Sequence, residues 1–166
     1  RYADEIGEAL AARLAQIVPR AAEDPQAQLA PFVDPQIASR INTIIEQGLL
    51  EPGARDVTAA HRDSDRLVTW NGCSYLQPTL IRCSADHPLA NREFLFPFAA
   101  VMDVPQDQVI AQLGPSLVVT AITQDPKFIQ TLVNSPHIDR LNVGPLATNQ
   151  VSWDQPHEGN LFEHLY

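Results

Sequence analysis

The sequence predicts an α/β fold, a largely parallel open sheet with helices on its faces, from three observations. From Asn91 to Gly144 three apolar β-like runs alternate with two short amphipathic helical patterns. Two Asp-Pro pairs, Asp34-Pro35 and Asp125-Pro126, each stand directly before a helical apolar period. Asn71-Gly72 separates two further strand-like runs. Strands joined through helices lie parallel with right-handed crossovers, which predicts one sheet running through Phe98, Val119 and Leu141. In such sheets the chemistry collects outside the carboxyl ends of the strands.

Taken in order, Ile6, Leu10, Leu14, Ile17 and Val18 recur at helical spacing and predict an amphipathic helix from Ala3 to Val18, closed by Pro19. Residues 20–31 are rich in Ala, Gln, Asp and Pro without period, as expected of a surface excursion. Asp34-Pro35 opens a second helix, because the carboxylate accepts from first-turn amides and Pro gives up an amide that had no partner. Ile37, Ile41, Ile44, Ile45 and Leu49 mark its apolar face, and Gly48, Pro52 and Gly53 end it. Asp56 to Asp65 is polar and unpatterned. Leu67–Trp70 and Tyr75–Cys83 read as a hairpin, with Pro78 arguing for an edge or a bulge. The alternating block follows: Pro97–Val104 as strand, Gln106–Leu113 as helix, Leu117–Thr123 as strand, a helix opened by Asp125-Pro126, and Ile138–Val143 as strand. A loop with an isolated Trp153 completes the chain.

A chain of 166 residues is expected to form a single domain. No apolar run approaches the ~18 residues of a membrane span, so no membrane segment is expected. The formal charge of -9 repels phosphate backbones and leaves no basic stripe, which disfavours nucleic-acid binding. Two cysteines, Cys73 and Cys83, are too few for a zinc framework and suit a reducing cytoplasm. The chain opens on Arg1 with no leader and falls straight into a helical pattern, which reads as a fragment of a longer chain.

Five histidines, His61, His87, His137, His157 and His164, include no i, i+4 pair, and no metal site is expected. Neither cysteine sits at an evident helix amino terminus, so neither is expected to be a nucleophile. The glycines form no phosphate-cradling loop, and Ser116 and Ser135 lack a nucleophile elbow. Glu93 remains, an acid in an apolar run just before a strand. It is read either as a carboxylate satisfied by loop amides or by Arg92, or as a functional anion.

Ala30-Pro31-Phe-Val-Asp34, Gly72 to Thr79, Arg92-Glu-Phe-Leu-Phe-Pro97, Leu117 to Asp125 and Leu141-Asn142 follow one another in the order of five motifs of a known family. The chain resembles the latter half of the aldehyde dehydrogenase superfamily, whose members carry Gly-Pro-x-x-Asp, a Gly ahead of Pro-Thr, Glu-Glu-Ile-Phe-Gly-Pro, a Leu-Ala strand leading to Thr-x-Asp, and Val-Asn. The resemblance covers nearly the whole chain and implies the carboxyl-terminal part of the catalytic domain.

By that resemblance, Glu93 corresponds to the Glu that holds the nicotinamide ribose hydroxyls. Leu95 corresponds to the Phe beside the nicotinamide, and Arg40 lies near a basic residue approaching the same ribose. Asn142 corresponds to the strand-end Asn, and Val143, Gly144, Pro145, Leu146 and Ala147 to the loop at the aldehyde entrance. The chain departs from the family at Arg92, Leu95 and Phe96, and Pro156-His-Glu-Gly159 only loosely follows Pro-Phe-Gly-Gly. The resemblance implies NAD or NADP as cofactor and a small-molecule aldehyde as substrate, oxidised through a cysteine thioester. The family's catalytic Cys and general-base Glu precede the part matched, so no catalytic residue is assigned and the isolated chain is expected to be inactive. A homo-oligomer is expected, since truncated sheets expose edges. The alternative is a non-catalytic binding or assembly module that retains the fold without the active centre.

Overall fold

A computed structural model describes residues 2–151. The chain divides into two compact units between Asp103 and Val104.

The first unit begins with α1 (Ala3–Leu14) and α2 (Pro35–Leu50). Asp34 caps α2, its carboxylate accepting from the Gln36 amide at 2.8 Å with Pro35 in the first turn. Strand β1 (Ala54–Asp56) follows, then a 3-10 turn at Thr58–Ala60 and the hairpin of β2 (Leu67–Trp70) and β3 (Cys73–Leu76). Asn71 and Gly72 both have positive φ, 50° and 78°, the backbone a two-residue hairpin needs to match strand twist. Strands β4 (Thr79–Cys83) and β5 (Phe98–Val101) complete the unit. The sheet order is β1-β4-β5, with β1 antiparallel and β5 parallel to β4. Parallel neighbours need a crossover of a dozen residues or more, and residues 84–97 supply it without a helix.

One core of this unit gathers Ile45, Ile81, Cys83, Leu89 and Ala90, with Ile41, Leu49, Phe94, Phe96 and Phe98 packed around them. A second gathers Ala11, Val57 and Leu80 under α1.

The second unit runs from a 3-10 turn (Gln106–Gln108) into α3 (Val109–Leu113), then β6 (Ser116–Ala121), α4 (Pro126–Val133) and β7 (Ile138–Val143). Strands β6 and β7 are parallel, Thr120 opposite Asn142 and Ala121 opposite Val143. Helix α4 is their crossover, and Asp125 caps it by accepting from the Lys127 and Phe128 amides at 3.0 and 3.4 Å.

The α/β class stands, and both ladders closed by a crossover are parallel. The single three-stranded run expected through Phe98, Val119 and Leu141 is divided between two sheets: β5 pairs with β4, and β6 with β7. The strand expected over Tyr75–Cys83 breaks at Gln77-Pro78, where Pro has no amide to give either ladder and the chain passes from the hairpin to the other sheet.

Helix α1 ends at Leu14 rather than Val18 and turns a different face inward. Gly7 and Ala11 are buried, while Ile6 and Leu10 are 57% and 38% exposed. Small residues let the helix backbone lie close to β4, and the flanking acids then reach basic residues below. Asp4 meets Arg82 at 3.0 Å, and Glu8 meets Arg55 at 3.2 Å and His61 at 2.9 Å. Arg82 and Arg55 hold the Asp4 carboxyl below the usual carboxylate range. These pairs are solvent-facing and orient the helix more than they stabilise it. Among the described residues no helix is long and apolar enough to cross a membrane.

Candidate functional site

The sequence-predicted residues fall into two groups, one in each unit. In the first unit, Glu93 and Leu95 ride on the crossover between β4 and β5. That crossover is pinned along its length: the Ser84 amide donates to Gly53 O at 3.0 Å, and the Thr79 amide to Pro97 O at 3.0 Å. Leu89 is buried against α2, where a Cβ on Gly48 would lie 2.7 Å from it, so the close approach requires glycine there. Buried His87 takes the Leu89 amide on Nδ1 at 3.1 Å, which folds the middle of the segment.

From Glu93 to Phe98 burial alternates with period two. Phe94, Phe96 and Phe98 turn inward and contact one another, with ring centroids 4.9 to 6.1 Å apart. Glu93, Leu95 and Pro97 therefore face out, Leu95 with 86% of its surface exposed. No donor among the described residues reaches the Glu93 carboxylate, so neither loop amides nor Arg92 satisfy it.

Arg40 lies on the exposed side of α2, its Nε donating to Gln36 O at 3.4 Å. Gln36, Ser39, Arg40, Thr43 and Ile44 line a depression of about 580 Å³. No hydrogen bond or ion pair joins Arg40 to Glu93 among the described residues.

In the second unit the predicted loop leaves the carboxyl ends of β6 and β7. Asn142 is buried and donates from Nδ2 to Thr120 Oγ1 at 3.2 Å, and Thr120 Oγ1 donates to Leu146 O at 3.0 Å. Gly144, at φ 109°, sends its amide to Ala121 O at 2.9 Å, closing the turn with a backbone that L side chains rarely adopt. Two residues before Asn142, buried Arg140 donates from its guanidinium to Thr148 O and to Gln150 O, the latter at 3.5 Å. The carbonyls of Leu146, Thr148 and Gln150 are thus all held from the strands. Trp153, His157, His164 and the Pro156–Gly159 stretch lie outside the described residues.

Sequence reasoning missed the most organised polar group in the first unit, within the segment read as unpatterned. Asp56 Oδ2 accepts from Arg62 Nη2 at 2.7 Å and Arg66 Nη2 at 2.9 Å, all three side chains no more than 7% exposed. Its Oδ1 accepts from the Thr58 hydroxyl at 2.5 Å and the Ala59 amide at 3.1 Å. Burial pushes the Asp56 carboxyl up, but the Thr58 hydroxyl and the two guanidiniums outweigh it and hold it below the usual carboxylate range. Arg62 also donates to Pro78 O at 3.2 Å and Arg66 to Asn42 Oδ1 at 2.9 Å. The cluster thereby ties β1 to α2 and to the Gln77-Pro78 break. Its signal in the sequence was two arginines four apart, at positions 62 and 66, downstream of one acid with a hydroxyl two residues on.

Among solved structures, this fold is similar to part of structures described as aldehyde dehydrogenases. PnpE from Pseudomonas sp. WBC-3 superposes with a TM-score of 0.73 over 95% of this chain and 32% of its own, at 19% identity. An aldehyde dehydrogenase from Bacillus cereus gives 0.68 over 88% of this chain and 30% of its own, at 18% identity. Gamma-glutamyl-gamma-aminobutyraldehyde dehydrogenase from Burkholderia cenocepacia gives 0.68 over 86% and 28%, at 22% identity. The chain therefore spans about a third of the length of the proteins it resembles in shape. No protein-family profile matches it, and no curated protein is similar to it in sequence.

Proposed function

We propose that this chain, both units together, is the carboxyl-terminal part of the catalytic domain of a cytoplasmic, homo-oligomeric, NAD- or NADP-dependent aldehyde dehydrogenase. The observation that supports the reading is the shape match over 86–88% of the chain to two structures described as aldehyde dehydrogenases, alongside the motif order in the sequence. The Bacillus cereus enzyme is also described with NAD+, and a succinic semialdehyde dehydrogenase from Streptococcus pyogenes with NADP+.

The residues present fit such a cofactor. Glu93 offers an outward carboxylate with no partner among the described residues, and two such oxygens can accept from two adjacent ribose hydroxyls at once. Arg40 would approach the same ribose, and Leu95 would give the nicotinamide side an apolar face. When bound, the cofactor supplies the hydride acceptor. Asn142 and the loop from Val143 to Ala147 would form one wall of the aldehyde entrance. The nucleophile and general base come from polypeptide beyond this chain, so the chain by itself does not turn over.

The test is expression of the complete polypeptide that contains this chain, with aldehyde-dependent reduction of NAD and NADP as the readout and Glu93→Gln alongside. Losing charge-assisted hydrogen bonds of about 1.5–3 kcal/mol weakens cofactor binding by roughly tenfold or more. Cofactor binding unchanged in the variant ends the anchor role. A complete polypeptide that oxidises no aldehyde would favour a module that keeps the fold without the chemistry.

A further inference from the structure

We infer that Phe94 is a positioning residue for the Glu93 carboxylate, its ring carrying the fixed place of β5 back to the residue before it. The inference rests on the aldehyde dehydrogenase reading above, in which Glu93 meets the cofactor ribose, and adds the side chain that aims it.

The segment that bears Glu93 is held by no main-chain bond. On one side the last is from the Ala90 amide to His87 O at 2.9 Å. On the other the next is from the Thr79 amide to Pro97 O at 3.0 Å, just before Phe98 joins the ladder opposite Thr79. Residues 91–96 make no hydrogen bond or ion pair among the described residues. Polypeptide without such bonds opens easily unless its side chains are packed. Glu93 itself has no partner to hold it, so its direction comes from the backbone that carries it.

Three rings pack beneath that backbone against the core of Ile45, Ile81 and Leu89, and they are not equivalent. Phe94 stands edge-on to Phe98, with centroids 4.9 Å apart and planes at 83°. Phe96 lies 6.1 Å from Phe94 and 6.0 Å from Phe98, tilted at 46° and 51°. The edge-to-face pair is the directional one, because it sets the positive rim of one ring on the negative face of the other. Phe98 is fixed by its strand, and Phe94 is fixed by Phe98. Glu93 is the next residue back, and neighbouring side chains of an extended segment point to opposite sides. A ring held inward at Phe94 therefore sets the carboxylate outward at Glu93, across a stretch where nothing else fixes it.

The experiment titrates the complete polypeptide with NAD and NADP by calorimetry, and measures kcat and the cofactor KM alongside. The variants are Phe94→Ala, Phe94→Leu, Glu93→Gln and each Phe94 change combined with Glu93→Gln. Phe94→Ala is expected to weaken cofactor binding by about tenfold and to raise the KM in step, with kcat within about twofold. Phe94→Leu keeps the apolar bulk, so it folds, and losing only the edge-on geometry it costs about threefold. In the Glu93→Gln background either change should cost less than about twofold, since the group being aimed is gone. A lower melting temperature with cofactor affinity unchanged, or the same loss in both backgrounds, overturns the inference and leaves the dehydrogenase reading in place. Glu93→Gln binding cofactor as the parent does overturns the inference together with the anchor role beneath it, and a parent that binds neither dinucleotide overturns both.

Discussion

Asp56→Ala tests what holds the first unit together. The substitution removes the acceptor of four hydrogen bonds, from Thr58, Ala59, Arg62 and Arg66, and leaves two guanidiniums, 6% and 7% exposed, facing each other without a carboxylate. Removing one member of a buried ion group costs about 3–5 kcal/mol, chiefly through the charge left unpaired. With a urea slope of about 2 kcal/mol/M, that is a midpoint lowered by about 1.5–2.5 M at pH 7. The same cluster sets an acid dependence. The folded Asp56 carboxyl ionises below its unfolded counterpart, so its contribution is complete above the unfolded value and disappears as pH falls through the folded one, below about pH 4. Equilibrium urea unfolding, followed by circular dichroism from pH 7 to pH 3, reads both effects. Replacing all three charges together, as Asp56→Leu with Arg62→Met and Arg66→Met, should restore much of the loss, because the desolvation of three ions goes with them. A midpoint within 0.3 M of the parent for Asp56→Ala would refute the argument, on the order of the extrapolation error alone.

Two other measurements address the crossover and the thiols. Gly48→Ala gains about 1 kcal/mol of helix propensity but drives a methyl to within 2.7 Å of Leu89, which is 1% exposed and has nowhere to retreat. A net loss is expected, seen as a Tm several degrees lower, and a Tm at or above the parent's would mean the crossover yields. Burial pushes the Cys83 thiol up while Cys73 is exposed, so a thiol reagent should label Cys73 quickly and Cys83 only on unfolding. Equal rates at the two positions would contradict the packing of Cys83.

The elements most legible in the sequence were those fixed by local chemistry. Asp34-Pro35 and Asp125-Pro126 start helices because capping acts within three residues, and Asn71-Gly72 turns a hairpin because it relieves strain at two adjacent positions. What depends on distant partners was not legible. Ile6 and Leu10 have the spacing of a buried face, yet α1 turns Gly7 and Ala11 to β4, a choice made by how closely two backbones can approach. Asp56, Arg62 and Arg66 look like solvated polar residues until folding brings them to one point, since no periodicity encodes a salt cluster among loops. The end of the last strand at Val143 and the loop after Gly144 were legible from the apolar run and the glycine that closes it. The part Arg140 plays in it was not, because its acceptors are main-chain carbonyls, which carry no sequence signature.

The alternation along Glu93 to Phe98 has a bearing on how such a protein can change over generations. Three phenyl rings secure the backbone from beneath, while the intervening positions touch little of the interior. Substitutions at Glu93 and Leu95 are therefore nearly free of folding consequences, and selection can vary the outward positions of this ledge without first having to rescue the protein from collapse.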